Sequence, residues 1–263
     1  MKITLLKLGG SLITDKAVAY KAEHAIIDVL AEQIQQARAK NPELNLVIGN
    51  GAGSFAHQSA KKYGTNDGFA DDEGRLGACI VHMDAVKLNQ IVIESLLKHS
   101  IPAFSLQPSA FITRKEKQLT GKFDVVTTFL EKKIIPIVYG DVLIDNAKGS
   151  TICSTDTIFK LLAKELKSKN HQITIIHAGK YPGVLGVSGR VIRNISPENL
   201  HEVLPALGEA EATDVTGGMK LKVQEMAELA SLGITSHIID GRAPKSVYNA
   251  LQGSFDGTTI GPI

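Results

Sequence analysis

The sequence predicts an α/β protein, a three-layer α/β/α sandwich around a mainly parallel central sheet. Three observations lead there. Strand-like apolar runs alternate with helix-like segments along the whole chain, the pattern of a sheet wrapped by crossover helices. The first run, Ile3 to Leu8, is apolar apart from Thr4 and Lys7, as in a central parallel strand buried on both faces. Glycine-rich turns follow the first two strands, at the strand ends where open α/β sheets hold their ligands. A chain of 263 residues, 43% of them hydrophobic, can fill one large core or two closely joined lobes.

The elements follow in order. After Ile3 to Leu8, "AEHAIIDVLAEQIQQARAK" sets Ile26, Leu30, Ile34 and Ala37 on one helical face. "LNLVIG" reads as a strand and "SFAHQSAKKYG" as a short helix, and a long helix spans roughly Leu76 to His99. "IPAFSL" comes next, "TTFLEKK" leads to "IIPIVYGD", and "VLIDNAKGS" is a hairpin turning at Asn146 to Gly149. "TDTIFKLLAKELKSK" is an amphipathic helix before the strand "ITIIHA". A glycine-rich stretch precedes the helix "KVQEMAELASLG", the strand "SHIID" and the helix "PKSVYNALQ". There is no internal repeat and no linker, although the functional emphasis changes near Ser150.

Composition narrows the function. Charged residues make up 21% and the formal net charge is +2, which argues against a nucleic-acid binder with a broad basic face. Cys79 and Cys153 are isolated, so neither a disulfide framework nor a cysteine metal site is expected. The apolar part of "MKITLLKLGG" is too short for a secretory leader, and no later stretch is expected to span a bilayer. The expectation is a soluble cytoplasmic protein with no nucleic-acid or membrane partner.

Lys7 is the first anomaly. A charge in a buried strand is expensive unless something opposite lies against it, so Lys7 either snorkels from an edge strand or points at an anion. The turns "GGS", Gly9 to Ser11, and "GNGAGS", Gly49 to Ser54, let backbone N–H groups converge on an anion, and a helix beginning just after such a turn adds its own free N–H groups. Either turn alone reads as an ordinary tight turn; two at consecutive strand ends favour a ligand. "GAGSFA" also fits the dinucleotide fingerprint, but Asp71 and Asp72, the acids roughly 20 residues on, follow no strand. No P-loop motif occurs, and H-E-x-x-H is absent, so no metal ligand is assigned. Asp156 opens a helix, where an acid ordinarily complements the dipole; the functional alternative is a carboxylate orienting lysines around a phosphate. His57 is either a satisfied surface imidazole or a phosphate contact. In "DVTGGMKLKVQEM" two glycines precede a helix with Lys220 and Lys222 in its first turn, against the dipole unless a polyphosphate is bound.

Together these residues resemble the amino acid kinase superfamily, whose members transfer the ATP γ-phosphoryl group to a carboxylate, carbamate or phosphate. The motifs "KLGGS", the second glycine loop, "YGD", "STD" and "TGGMKLK" run in the family order over essentially the whole chain. Within it, "LKLGGSLITDK", "GAGSFAH", "IPIVYGDVLID" and "DVTGGMKLKV" are most similar to the isopentenyl phosphate kinases of isoprenoid biosynthesis. The resemblance implies an amino acid kinase-like fold, direct in-line transfer from ATP to isopentenyl phosphate, Mg²⁺ carried with ATP, and a homodimer. It implies that Lys7 and Lys222 hold the transferring phosphoryl group, that Lys16 assists at the transition state, and that Asp156 positions the lysines. Gly9, Gly10, Ser11, Gly53, Lys180, Gly183 and Gly218 would join Lys7 and Lys222 on the nucleotide side. Ala52, His57 and Gly140 would meet the acceptor. One domain is expected, with residues 1–150 as the acceptor lobe and 151–263 as the nucleotide lobe.

The chain departs from the family pattern at Asn50, Ala52 and Ala56 in the second loop. It departs again at "GKYPGV", where Lys180 replaces an acid and Pro182 removes an N–H. Two alternatives stay open. One is a kinase of another small phosphate or phosphonate such as fosfomycin, which an apolar acceptor pocket would disfavour. The other is a non-catalytic nucleotide-binding regulatory or storage protein, which would not need Lys7, Lys16, Asp156 and Lys222 together.

Overall fold

The computed structural model describes residues 1–207 and 218–262. The chain runs through β1 (Lys2–Leu8), α1 (Gly10–Ile13), α2 (His24–Lys40), β2 (Asn45–Asn50), α3 (Gly53–Tyr63), α4 (Asp72–Lys98) and β3 (Ala103–Ser105). It continues through β4 (Ile112–Lys115), β5 (Gln118–Gly121), α5 (Asp124–Glu131), β6 (Ile135–Tyr139), β7 (Asp141–Asp145), β8 (Gly149–Cys153) and α6 (Thr155–Ser168). Then come β9 (Gln172–Gly179), β10 (Asn194–Ile195), α7 (Leu200–Ala206), α8 (Gly218–Ala230), β11 (Thr235–Asp240), α9 (Ser246–Leu251) and β12 (Gly257–Ile260).

An eight-stranded sheet in the order β10-β12-β11-β9-β1-β2-β6-β3 forms the middle layer. All its pairings are parallel except β11 with β12. β1 is central, so Lys7 does not snorkel from an edge. β2, β6 and β3 lie on one side of β1 and the later strands β9, β11, β12 and β10 on the other. The strand order therefore reverses at β1, which makes its carboxyl end the topological switch point where such sheets bind ligands. The division expected at residue 150 falls inside β8.

Alternation along β1 separates the two faces. Leu6 and Leu8 pack with α2, α4 and α9 through Leu30, Ile34, Leu88, Val92 and Val247. Ile3 and Leu5 pack on the other face with α6 through Ile158, Phe159, Leu162 and Leu166. Leu30, Ile34 and Ala37 of α2 are buried as their spacing requires, while Ile26 only packs partly against that core.

Several sequence expectations need correction. α4, 27 residues long, is by length and composition apolar enough to cross a membrane, contrary to the expectation that no stretch is. Here Val81, Ala85, Leu88, Val92 and Leu96 bury its apolar face within the protein. A second sheet, β5-β4-β7-β8, accompanies the main one, and only its β7–β8 hairpin is legible in the sequence. β4 and β5 carry polar and charged residues on a half-exposed ribbon, so no apolar alternation marks them. Gly218 is itself helical, and Lys222 is the fifth described residue of α8 rather than part of its first turn. Asp214 to Gly217 of that motif lie outside the described residues.

Candidate active site

The site is built around Lys7, on the same face of β1 as Ile3 and Leu5. Its register partner on β2 is Gly49 and on β9 is His177. A Cβ at Gly49 would come within 2.6 Å of Thr155 Cγ2 and 2.7 Å of Phe159. Gly49, which the sequence suggested as part of a phosphate turn, is thus a packing glycine that lets the first turn of α6 touch the sheet. Thr155 Oγ1 donates to the Asn50 carbonyl at 2.7 Å, and Ser154 caps the helix by accepting from Thr157 N–H at 3.1 Å. Asp156, the second residue of α6, is thereby brought onto Lys7, whose Nζ donates to Asp156 Oδ2.

The charges reinforce one another. Burial lowers the pKa of Lys7, Asp156 opposes that shift, and Lys222 adds to it. Burial would raise the Asp156 carboxyl, but Lys7, then His177 and Lys222, reverse this and hold it below the usual carboxylate range. Asp156, Lys160, His177, Lys222 and Glu225 share the lining of one small cavity. The structure therefore brings Lys7, Asp156 and Lys222 together.

It also adds His177, which none of the sequence motifs includes. His177 Nδ1 stands 3.4 Å from Asp156 Oδ1. Neither Asp156 Oδ1 nor His177 Nε2 has a hydrogen-bond partner among the described residues, although both are buried. The signal available in the sequence was a single histidine at the end of "ITIIHA", which reads more simply as a satisfied core side chain.

The two glycine loops pack against each other. A Cβ at Gly10 would lie 2.5 Å from Gly53 N, one at Gly51 would lie 2.7 Å from Gly10 N, and Gly53 has a φ of +51°. Gly9 N–H donates to Ala178 O at 2.9 Å, Gly51 N–H to Leu8 O at 3.0 Å, and Gly140 N–H to Asn50 O at 3.3 Å. Gly9 and Gly140 therefore have no N–H to give a ligand. Gly10 and Gly53 open α1 and α3, and Ser11 is the second residue of α1, so their N–H groups are the orphan donors of helix starts. The Asn50 side chain is occupied behind the loop, where Asn89 Nδ2 donates to its Oδ1 at 2.9 Å.

Lys16 is exposed in a turn that is itself well fastened. Asp15 accepts from Ala17 N–H at 2.9 Å and from Lys21 Nζ at 2.9 Å, and Tyr20 Oη donates to buried Asp84 at 2.8 Å. The Lys21 hydrogen bond, then that of Ala17, holds the Asp15 carboxyl below its ordinary value, and Lys180 adds a weaker pull. The "GKYPGV" loop thus approaches the Lys16 turn, and Arg242 donates to the Lys180 carbonyl at 2.5 Å. Gly183 is buried, with a φ of +151° and Thr258 Oγ1 2.6 Å from where its Cβ would be, so close packing alone requires glycine there. Gly218 is half-buried at the start of α8, and His57 is exposed on α3.

Beside Ala52 the surroundings become apolar. Ala56, Ala78, Val81, Ala85, Tyr139 and Val142 form a buried cluster, with Ala52, Ala60, Tyr63 and Phe69 packed against it. Burial pushes the Tyr139 hydroxyl up beyond its ordinary range. Asp141, next to Gly140, accepts from Ser109 N–H at 3.0 Å and faces His82 Nδ1 at 2.6 Å, fastening this wall to α4.

The chain is similar to known proteins along most of its length. The profile of the amino acid kinase family matches residues 2–240. The isopentenyl phosphate kinase of Methanocaldococcus jannaschii is 33% identical, over 98% of this chain and 98% of its own. That of Methanothermobacter thermautotrophicus is 32% identical, over 97% of this chain and 98% of its own. A crystal structure of an isopentenyl phosphate kinase superposes with a TM-score of 0.81 at 28% identity, covering 98% of this chain and 100% of that one.

Proposed function

We propose that this chain, which belongs to the amino acid kinase family, transfers the γ-phosphoryl group of ATP to isopentenyl phosphate, giving the diphosphate. The observation that carries the reading is one juxtaposition: the buried Lys7–Asp156 pair with Lys222 at the switch point, and an apolar cluster behind the neighbouring glycine loop. The first suits an anionic transfer path and the second an acceptor with a short hydrocarbon chain. A compact polar phosphonate would gain little from that wall.

Two phosphates repel as they approach, so the protein must place cations and N–H donors along the in-line path before reaction. Lys7 and Lys222 flank the transferring group, Asp156 keeps Lys7 oriented, and Lys16 reaches in from its fastened turn. The helix-start N–H groups of Gly10 and Ser11 meet the nucleotide phosphates, and those of Ala52 and Gly53 lie at the second loop. An acceptor phosphate is largely dianionic near neutral pH, so no strong general base is required. Mg²⁺ enters as part of the MgATP substrate and neutralises charge on its oxygens. Among the described residues no group of three His, Cys, Asp or Glu side chains is arranged to hold a metal. The same reading takes residues 1–150 as the acceptor side, 151–263 as the nucleotide side, a homodimer as the assembly and the cytoplasm as the location.

His57 tests the phosphate end of the acceptor. His57→Ala should raise KM for the acceptor and lower kcat, leaving KM for ATP nearly unchanged. His57→Gln, which keeps a donor, should recover part of the loss, whereas loss of a general base would not be rescued that way. Unaltered acceptor kinetics in His57→Ala would remove His57 from the site.

A further inference from the structure

Asp156 has two carboxylate oxygens and lies within electrostatic reach of two lysines. Oδ2 is taken by Lys7. A buried Oδ1 with no group facing it would attract the second ammonium, Lys222, which lines the same cavity. Such a pairing would collapse both cations onto one carboxylate and withdraw Lys222 from any phosphate between them. His177 Nδ1 instead faces Oδ1, at 3.4 Å.

We infer that His177 is a positioning residue for phosphoryl transfer: it stands against the second oxygen of Asp156, so that Lys222 stays apart from Lys7 and available to the phosphate. The inference rests on the kinase reading above and adds to it a residue that no motif contains. His177 enters on β9 beside Lys7, so backbone register fixes its distance from β1. Burial lowers its pKa, more than Asp156 raises it, so the ring is neutral near pH 7. A neutral ring facing a carboxylate carries its proton on Nδ1 and leaves Nε2 as an acceptor. Nε2 is buried without a partner among the described residues. A neutral N–H can face Oδ1 and cover it without adding a third positive charge beside Lys7 and Lys222; a lysine or arginine there could not.

The test compares His177→Leu, which fills the space among Phe159, Ile175 and Leu229 without a donor, with His177→Asn, whose amide N–H reproduces Nδ1. His177→Leu should lower kcat by about 10- to 100-fold with little change in KM for the acceptor. His177→Asn should recover most of that loss. The deciding arm is a double-mutant cycle with Asp156→Asn, which abolishes the charge that would capture Lys222. In that background His177→Leu should cost less than about two-fold. Full additivity of the two losses, wild-type kcat in His177→Leu, or no rescue by asparagine in a variant of wild-type melting temperature would each overturn the inference. Wild-type turnover of isopentenyl phosphate is measured in the same series, so failure of the kinase reading appears there and failure of the positioning role only in the variants.

Discussion

Lys7 carries the argument at the scale of single residues. A lysine closing an apolar strand signalled a partner, and the central position of β1 rules out the edge-strand explanation. What its sequence neighbourhood could not give was Asp156, 149 residues away and brought near by the register of β1 and the start of α6. Lys222 was legible as a cation on the wrong end of a helix; His177 was not, because a lone histidine in a strand carries no pattern. The cavity distinguishes Lys222 from its neighbour, since Lys222 lines it and Lys220 is exposed. Lys222→Ala should therefore lower kcat by about 10²–10³-fold, the usual loss for one contact to developing charge, and Lys220→Ala far less. Steady-state kinetics on both variants checks this; equal damage would mean that the helix presents its other face to the substrate.

Among the elements, α6 matters most, because its first turn delivers Asp156. That turn rests on β2 only because residue 49 has no side chain. Gly49→Ala should overpack the contact, cost about 1–3 kcal/mol in denaturant unfolding, and lower kcat by tilting Asp156 away from Lys7. Wild-type stability and rate would show that the helix start has room to move. The sequence made Gly49 look like a ligand glycine because packing and phosphate glycines look alike until the opposing atoms are known.

β11 offers a second element-scale test. His237 is 6% exposed, stacks on Phe255 at 3.4 Å and 3°, and has Nδ1 3.0 Å from Thr259 Oγ1. Burial lowers its pKa to about 4. Between that value and the unfolded value of about 6.5, the unfolded chain binds a proton that the native ring refuses, so stability falls as pH falls through this window. The loss from pH 7.5 to pH 5 should be about 2 kcal/mol greater in the wild type than in His237→Asn. Chemical denaturation at the two pH values measures it, and equal losses would mean that the ring protonates in place.

Over the whole molecule, the alternation of strands and helices, the parallel sheet and the placement of the glycine loops were legible, because burial on both faces writes itself as long apolar runs. The second sheet was not, because its β4–β5 ribbon is polar and half-exposed. The glycine loops themselves proved only partly what they suggested. Gly10, Gly51 and Gly53 are needed where two loops pack back to back, and only some of their N–H groups remain for a ligand. The proposed activity needs both sides of the switch point: a cationic transfer path on one and an apolar acceptor wall on the other. A coupled ADP-release assay with isopentenyl phosphate, dimethylallyl phosphate and fosfomycin as competing acceptors tests that pairing. The highest kcat/KM is expected for isopentenyl phosphate, with measurable turnover of its isomer and little or none of fosfomycin. Equal or better turnover of fosfomycin, or no ADP release with either prenyl phosphate, would contradict it.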